Sequence, residues 1–272
     1  MISILTLNTA LLTIYLFGIP IYGFNPDVTR RREKIITFLS TQEEDFLALQ
    51  EVSRRSVRKM TAGLEETFPY SAFAKSHTFL GTGILTFSKH PILSSVFIPF
   101  KTQSPSERLV LQKGMQVNKV KNGDQEFTII NVHLIAYNWL YNSAHPKVMT
   151  NRKKQIEQLI EYVDSLPENE EVVVVGDFNC APEFATENYE QLTAYFTDLF
   201  VLDEERNGTN KIRQTWMSDN TLNDIGGRGL PSQRVDHMFI PKKETVTNLQ
   251  LEINPEDQIS DHHPMEMEME IN

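Results

Sequence analysis

The chain has 272 residues, with 26 Lys or Arg against 36 Asp or Glu, a formal net charge of −10 and a 40% hydrophobic content. That balance opposes sequence-independent binding along a phosphate backbone, although a local basic groove can sit on an acidic protein, and the apolar content is enough for one large core. One cysteine, Cys180, excludes an intrachain disulfide and a Cys-rich zinc site, and reads as a small buried hydrophobe.

The first charged side chain is Asp27, so residues 1–26 invite comparison with a signal peptide or membrane anchor. There is no positive n-region and no clean small-residue cleavage pattern, and Asn8, Gly18, Pro20 and Gly23 interrupt the run, which argues against both. A short strand over Ile2 to Leu7, ending at Asn8, fits better. An apolar connection through Leu11, Ile14, Tyr15, Leu16, Phe17 and Ile19 follows and reads as core.

Ile35, Ile36 and Leu39 predict a helix over Thr29 to Leu39, with Arg30, Arg31, Arg32 and Glu33 on its opening turn and outer face. Phe46 to Leu49 predicts a buried strand ending on Gln50 and Glu51. Val57, Met60 and Leu64 mark a second helix, whose Arg54, Arg55, Arg58 and Lys59 either face phosphates or form a solvated face. Gly83 to Ser88 and Val96 to Phe100 read as strands. Met115 to Lys121 and Glu126 to Leu134 read as a hairpin turned by Asn122-Gly123, because Asn-Gly supplies positive φ. Its second strand carries His133, either a satisfied core residue or a functional one.

The aromatics of Tyr137 to Tyr141 suit a membrane or binding surface, or partial burial under their own loop. From Asn151, the residues Ile156, Leu159, Ile160 and Val163 form the clearest amphipathic helix. Glu171 to Asn179 then runs four valines into Gly-Asp-Phe-Asn, a strand covered on both faces. Gly176 allows an unusual backbone angle or a close approach, so that Asp177 and Asn179 emerge side by side, as a turn or as a holder of water, phosphate oxygen or a hard metal.

Tyr189 to Leu199 predicts another helix, and residues 207–231 a polar loop. Gly226, Gly227 and Gly229 around Arg228 lack the Gly-Lys-Ser/Thr ending of a phosphate-cradling loop. Gln233 to Ile240 resumes strand character, interrupted by Asp236 and His237. Met265, Met267, Met269 and Ile271 alternate with glutamates as a half-buried terminal strand. With no repeat, linker or composition break, residues 1–272 read as one domain.

Asn8, Glu51, His133, Asp177 with Asn179, Asp236, and Asp261 with His262 all stand where strands end. Oxygen donors without cysteines suit a hard cation such as Mg²⁺. Two histidines added to them supply a base for water and a donor for phosphoryl oxygens, the parts needed to hydrolyse a phosphate ester.

In order along the chain, LTLNT at Asn8, LALQEV at Glu51, GTGILTFSKHPI, INVHL at His133, VVGDFN at Asp177, RVDHMF at Asp236 and SDHHPM at His262 resemble the endonuclease/exonuclease/phosphatase (DNase I-like) superfamily. The resemblance spans nearly the whole chain. It implies an α+β fold, a four-layer α/β/β/α sandwich of two mostly antiparallel sheets flanked by helices. It further implies metal-dependent hydrolysis of a phosphodiester, with Glu51 as the principal Mg²⁺ ligand, Asn8 beside it, and Mn²⁺ as a substitute ion. Asp177 and Asn179 would position the attacking water and the phosphate, and His262 would be the general base, oriented by Asp236. His133 would stabilise phosphoryl oxygens or protonate the leaving group, and Asp261 would support the metal or His262.

GILTFSKHPIL and HLIAYN are most similar to the neutral sphingomyelinase branch. That branch implies a phospholipid at a membrane surface as substrate, with DNA or RNA as the alternative. No obligate protein partner is implied, and the expected location is cytoplasmic with peripheral membrane contact. One departure stands out: an acidic residue partners the first histidine in several relatives, and no equivalent is recognisable near Gly81 to Gly83.

Overall fold

The computed structural model describes residues 1–16, 19–23, 25–136, 145–208, 212–222, 231–255 and 259–271. In chain order the elements are β1 (Ile2–Leu11), β2 (Thr13–Leu16), β3 (Ile19–Gly23), α1 (Val28–Ser40), β4 (Phe46–Val52), α2 (Arg54–Leu64), β5 (Tyr70–Phe73), β6 (Leu85–Ser88) and β7 (Ile92–Pro99). There follow α3 (Pro105–Leu109), β8 (Gly114–Asn122), β9 (Gln125–His133), α4 (Pro146–Asp164), β10 (Val172–Asp177), α5 (Thr186–Tyr195), β11 (Phe196–Asp198), α6 (Leu199–Asn207), β12 (Asp236–Pro241), β13 (Val246–Ile253) and β14 (Met265–Ile271).

The valine strand shows how the layers arise. Successive side chains of a strand point to opposite faces. Val173 and Val175 therefore join Ile2, Ile4, Phe46, Ala48, Phe127 and Ile129 between two sheets, while Val172 and Val174 pack outward with Ile130 and Val132 against Ile156, Leu159 and Val163 of α4 and Leu192 of α5. On the opposite outer face, Leu5, Leu7, Leu47, Leu49 and Phe87 lie under Ile35 and Leu39 of α1 and Met60 and Leu64 of α2. The result is the expected α/β/β/α order.

One sheet runs β13-β14-β1-β4-β6-β5 and the other β11-β12-β10-β9-β8-β7. In each, the two central strands form the parallel pair, β1 with β4 and β10 with β9, and the flanking pairs are antiparallel. Near one edge the inter-sheet layer turns from apolar to amide. Gln50 Nε2 donates to Asn131 Oδ1 at 2.8 Å and to Thr6 Oγ1 at 3.1 Å, locking one sheet to the other. Gly176 is required there: its φ is +133°, and a Cβ would lie 2.2 Å from the Val132 carbonyl oxygen and 3.1 Å from Gln50 Nε2.

Several predicted boundaries move. β1 continues past Asn8 to Leu11 through a register shift, with Ala10 at φ 49°, and the apolar connection after it folds as the β2–β3 hairpin. Asn122 pairs with Gln125, so Gly123-Asp124 makes the turn and Asn122 closes the ladder. The helix expected over Tyr189 to Leu199 is cut, because Phe196 and Asp198 enter the sheet edge opposite Pro241 and Phe239. The Asp198 carboxylate then caps α6 by accepting from Phe200 N at 3.0 Å. β5 and β13 escaped the pattern reading: β5 is exposed or half-buried throughout, and Asn248 at φ 52° breaks the alternation of β13. Arg31 and Arg32, expected on the opening turn and outer face of α1, are 3% and 5% exposed. The aromatics at Tyr137 to Tyr141 and the glycines around Arg228 lie outside the described residues.

Candidate active site

Parallel strands end at the same edge, and their antiparallel neighbours begin there. Glu51, His133 and Asp177 accordingly come from the ends of β4, β9 and β10 and Asn8 from the point in β1 where its register shifts, while Asp236 opens β12 and His262 lies just before β14. Register makes this specific, because Asp177 pairs with His133 on one side and with Asp236 on the other.

Asp177 is the hub. Its Oδ2 accepts from Asn8 Nδ2 at 2.9 Å and lies 3.3 Å from His133 Nε2, and its Oδ1 accepts from the Asn179 backbone N–H at 2.9 Å. Burial would raise its pKa, but the hydrogen bond to His133 and the charges of His133, His262 and Lys113 hold it well below the usual carboxylate range. Asn179 does not continue the strand's alternation. It sits at φ 51° and donates its side-chain amide to the Leu134 carbonyl at 3.1 Å.

His262 Nδ1 lies 2.7 Å from Asp236 Oδ2. Burial opposes the imidazolium form, yet the Asp236 carboxylate beside it raises the His262 pKa to about 10. Asp236 is held in turn by Thr215 Oγ1, which accepts from the Val235 and Asp236 backbone N–H groups at 3.1 Å. Asp177, Asp236 and His262 each bring one donor atom to within 4.8 Å of the others.

Glu51 adopts φ 57°, an uncommon conformation for a residue with a side chain. Glu51 Oε1 lies 3.8 Å from His133 Nε2. Burial, with Asp261 and Asp177 nearby, pushes its carboxyl up to about 7, against the lowering effect of Lys113. Asp261 faces Asn25, whose Nδ2 donates to it at 3.2 Å. These crowded oxygen donors fit a hard cation, whose charge would relieve their mutual repulsion. The Asp236 Oδ1 atom, buried without a hydrogen-bond partner among the described residues, is consistent with the same need for positive charge.

Three features of the site were not legible as such in the sequence. Lys113, 7% exposed, places its ammonium on His133 Nε2. Burial, then the Lys113 charge, lowers the His133 pKa to about 4, so the imidazole is neutral at pH 7. Arg31 spends its guanidinium on backbone: it donates to the Thr9 carbonyl at 3.1 Å, the Ala10 carbonyl at 2.5 Å and the Ile259 carbonyl at 3.1 Å, tying the end of β1 to the segment before Asp261 and His262.

The third feature is a buried network behind β12. Arg234 Nη1 donates to Asp198 Oδ2 at 2.9 Å and stands 2.9 Å from His237 Nδ1, and His237 Nε2 lies 2.9 Å from the Cys180 carbonyl. A guanidinium can only donate, so His237 accepts on Nδ1 and donates from Nε2, steadying the turn that carries Asn179. Arg234 is therefore no part of an open basic groove. Cys180 is fully buried, and burial pushes its thiol up to about 12, in keeping with a packing role. Replacing Arg234 with Met strands the Asp198 carboxylate, at an expected cost of about 3–5 kcal/mol. A chemical-denaturation series checks this, and a loss below about 1 kcal/mol would show that the pair is not what holds this corner.

Residues 6–262 match the Endonuclease/Exonuclease/phosphatase family. A putative neutral sphingomyelinase from Drosophila melanogaster is 25% identical over 243 residues, covering 87% of this chain and 52% of the relative, so the chain spans about half that protein's length. Among solved structures, beta toxin from Staphylococcus aureus superposes with a TM-score of 0.80 at 17% identity, covering 98% of this chain and 99% of the other. A second beta toxin structure, with bound magnesium ions, gives 0.76 at 15% identity over 97% and 98% of the two chains. At these identities the structural likeness speaks for the fold.

Proposed function

The chain belongs to the Endonuclease/Exonuclease/phosphatase family, and from that premise we propose that it is a Mg²⁺-dependent phosphodiesterase acting on a sphingomyelin-like phospholipid. The observation that carries the chemistry is the meeting of the Asp236–His262 dyad with Asp177 within 4.8 Å.

In this reading Glu51 and Asn8 hold the cation, with Asp261 in support. Bound there, the cation would neutralise charge on the phosphoryl oxygens and, as a positive neighbour, bring His262 down into the range where it is free to accept a proton. Asp236 holds Nδ1–H of His262 and leaves Nε2 to take a proton from water. Asp177 and Asn179, fixed by β10 and by the Leu134 carbonyl, orient that water and the phosphate. His133, with its Nε2 beside Asp177 Oδ2, stabilises phosphoryl oxygen or protonates the leaving group, and Lys113 lies against the same imidazole nitrogen.

The lipid reading is supported by the Drosophila relative, and the choice of magnesium by the structural neighbour with bound magnesium ions. The family name also covers nucleases, which keeps DNA or RNA as the second reading. Side-by-side assays on sphingomyelin vesicles, supercoiled DNA and single-stranded RNA in Mg²⁺ separate them. Release of phosphorylated headgroup is expected, and cleavage of nucleic acid alone would end the lipid reading.

A further inference from the structure

Two of the most exposed large apolar side chains on the molecule lie side by side. Phe79 is 57% exposed and Leu109 72%. They sit where the loop before β6 meets the end of α3, a short backbone ladder with a single β-bridge, Gly81 to Leu111, in which Phe79 N donates to the Leu109 carbonyl at 3.1 Å, Leu80 N to the Val110 carbonyl at 2.7 Å and Gln112 N to the Gly81 carbonyl at 2.9 Å. Scattered exposed hydrophobes are ordinary on any protein. This pair is fixed in place, because the inward residues of the same ladder, Leu80 and Leu111, pack with Leu12 in a satellite core.

The ladder also abuts the site. A Cβ on Gly83 would stand 3.2 Å from Leu111 Cδ1 and 3.3 Å from Glu51 Cα. Two residues beyond Leu111 comes Lys113, whose ammonium reaches His133. Leu109 ends α3 and is four residues from Lys113, so even a fully extended chain would keep the two within roughly 14 Å.

The charge around the pair is positive, on a chain whose net charge is −10. Arg54 is exposed and lies along Gly81, its Cγ 3.2 Å from where a Cβ would be, and Arg108, next to Leu109, is exposed as well. Across 73–84 and 104–114 the only acid is Glu107, which is 5% exposed and bound to Ser104 N.

We infer that the Phe79–Leu109 ladder docks on a phospholipid bilayer, the two apolar side chains entering the acyl boundary while Arg54 and Arg108 meet lipid phosphates. Bilayer interfaces take apolar side chains in this way, with cations at headgroup level. Nucleic acid would use the cations and could stack on Phe79, but it has no use for an exposed aliphatic Leu109. Docked so, the edge carrying Glu51 and His133 faces the headgroups. The inference rests on the phospholipid reading of the same site, and it concerns binding rather than turnover.

The test compares the wild-type chain with a Phe79→Ser/Leu109→Ser variant by co-sedimentation with phosphatidylcholine–sphingomyelin vesicles in EDTA, with thermal melts to show that both are folded. The variant is expected to partition about tenfold or more weakly, while hydrolysis of soluble bis(p-nitrophenyl) phosphate in Mg²⁺ stays within about twofold of wild type. An Arg54→Ala/Arg108→Ala variant is expected to lose about tenfold on vesicles containing phosphatidylserine. Equal vesicle binding by wild type and the Phe79/Leu109 variant, or no binding by wild type, overturns the inference even if sphingomyelin is hydrolysed. Patch-dependent binding without hydrolysis of any diester would uphold the docking surface and sink the proposed activity.

Discussion

Replacing His262 with alanine is expected to lower turnover by about 10²–10⁴ while leaving the fold intact, because the imidazole is held by the Asp236 carboxylate and stands beside Asp177, the residue proposed to orient the water. The side chain belongs to none of the apolar core clusters, so its loss is expected to remove the proposed proton acceptor rather than a packing element. Asp236→Asn should show a smaller loss of the same kind. It keeps a polar group near Nδ1 but removes the charge that makes His262 basic. The measurement is steady-state hydrolysis alongside a thermal melt for each variant, and wild-type turnover in a folded His262→Ala protein would remove His262 from the chemistry.

The second large effect is expected at Glu51. Its carboxylate sits among Asp261 and Asp177 on a left-handed backbone that aims it at the site edge, and a group crowded by like charges has most to gain from a cation. Glu51→Gln keeps the shape and removes the charge. The Mg²⁺ concentration for half-maximal activity should rise by at least about 10–100-fold, the loss that removal of even an outer partner of a metal site produces. EDTA should abolish wild-type hydrolysis. Activity that survives EDTA, or an unchanged Mg²⁺ requirement in Glu51→Gln, would show that Glu51 holds no metal needed for turnover.

How far these residues were legible in the sequence follows from the kind of signal each one leaves. The central strands were legible because four valines need cover on both faces, and a strand that runs from such a stretch into Gly-Asp-Phe-Asn must deliver its polar end to an edge. The partners of Asp177 follow from register, with His133 and Asp236 on either side of it. Sequence periodicity alone does not give register.

Lys113 shows what one detail of a turn controls. With Asn122 paired to Gln125, Gly114 falls opposite His133, and Lys113 comes beside the imidazole. Placing the turn at Asn122-Gly123 instead slides that ladder by two residues and sets Gln112 rather than Gly114 opposite His133. Arg31 was hidden for another reason: its partners are carbonyls of Thr9, Ala10 and Ile259, and backbone acceptors leave no mark in a sequence. The same holds for His237, whose Nε2 meets the Cys180 carbonyl. Side chains that act on substrate announce themselves by type and order, whereas those that hold the backbone in place do not.

The most direct measurement is hydrolysis of sphingomyelin in ¹⁸O-labelled water with Mg²⁺ present. In the proposed mechanism, a water oriented by Asp177 and Asn179 and deprotonated by His262 attacks phosphorus, the P–O bond to the lipid alcohol breaks as that alcohol takes up a proton, and one labelled oxygen ends on the released phosphorylated headgroup. Label in the lipid alcohol, or no hydrolysis at all, would contradict it.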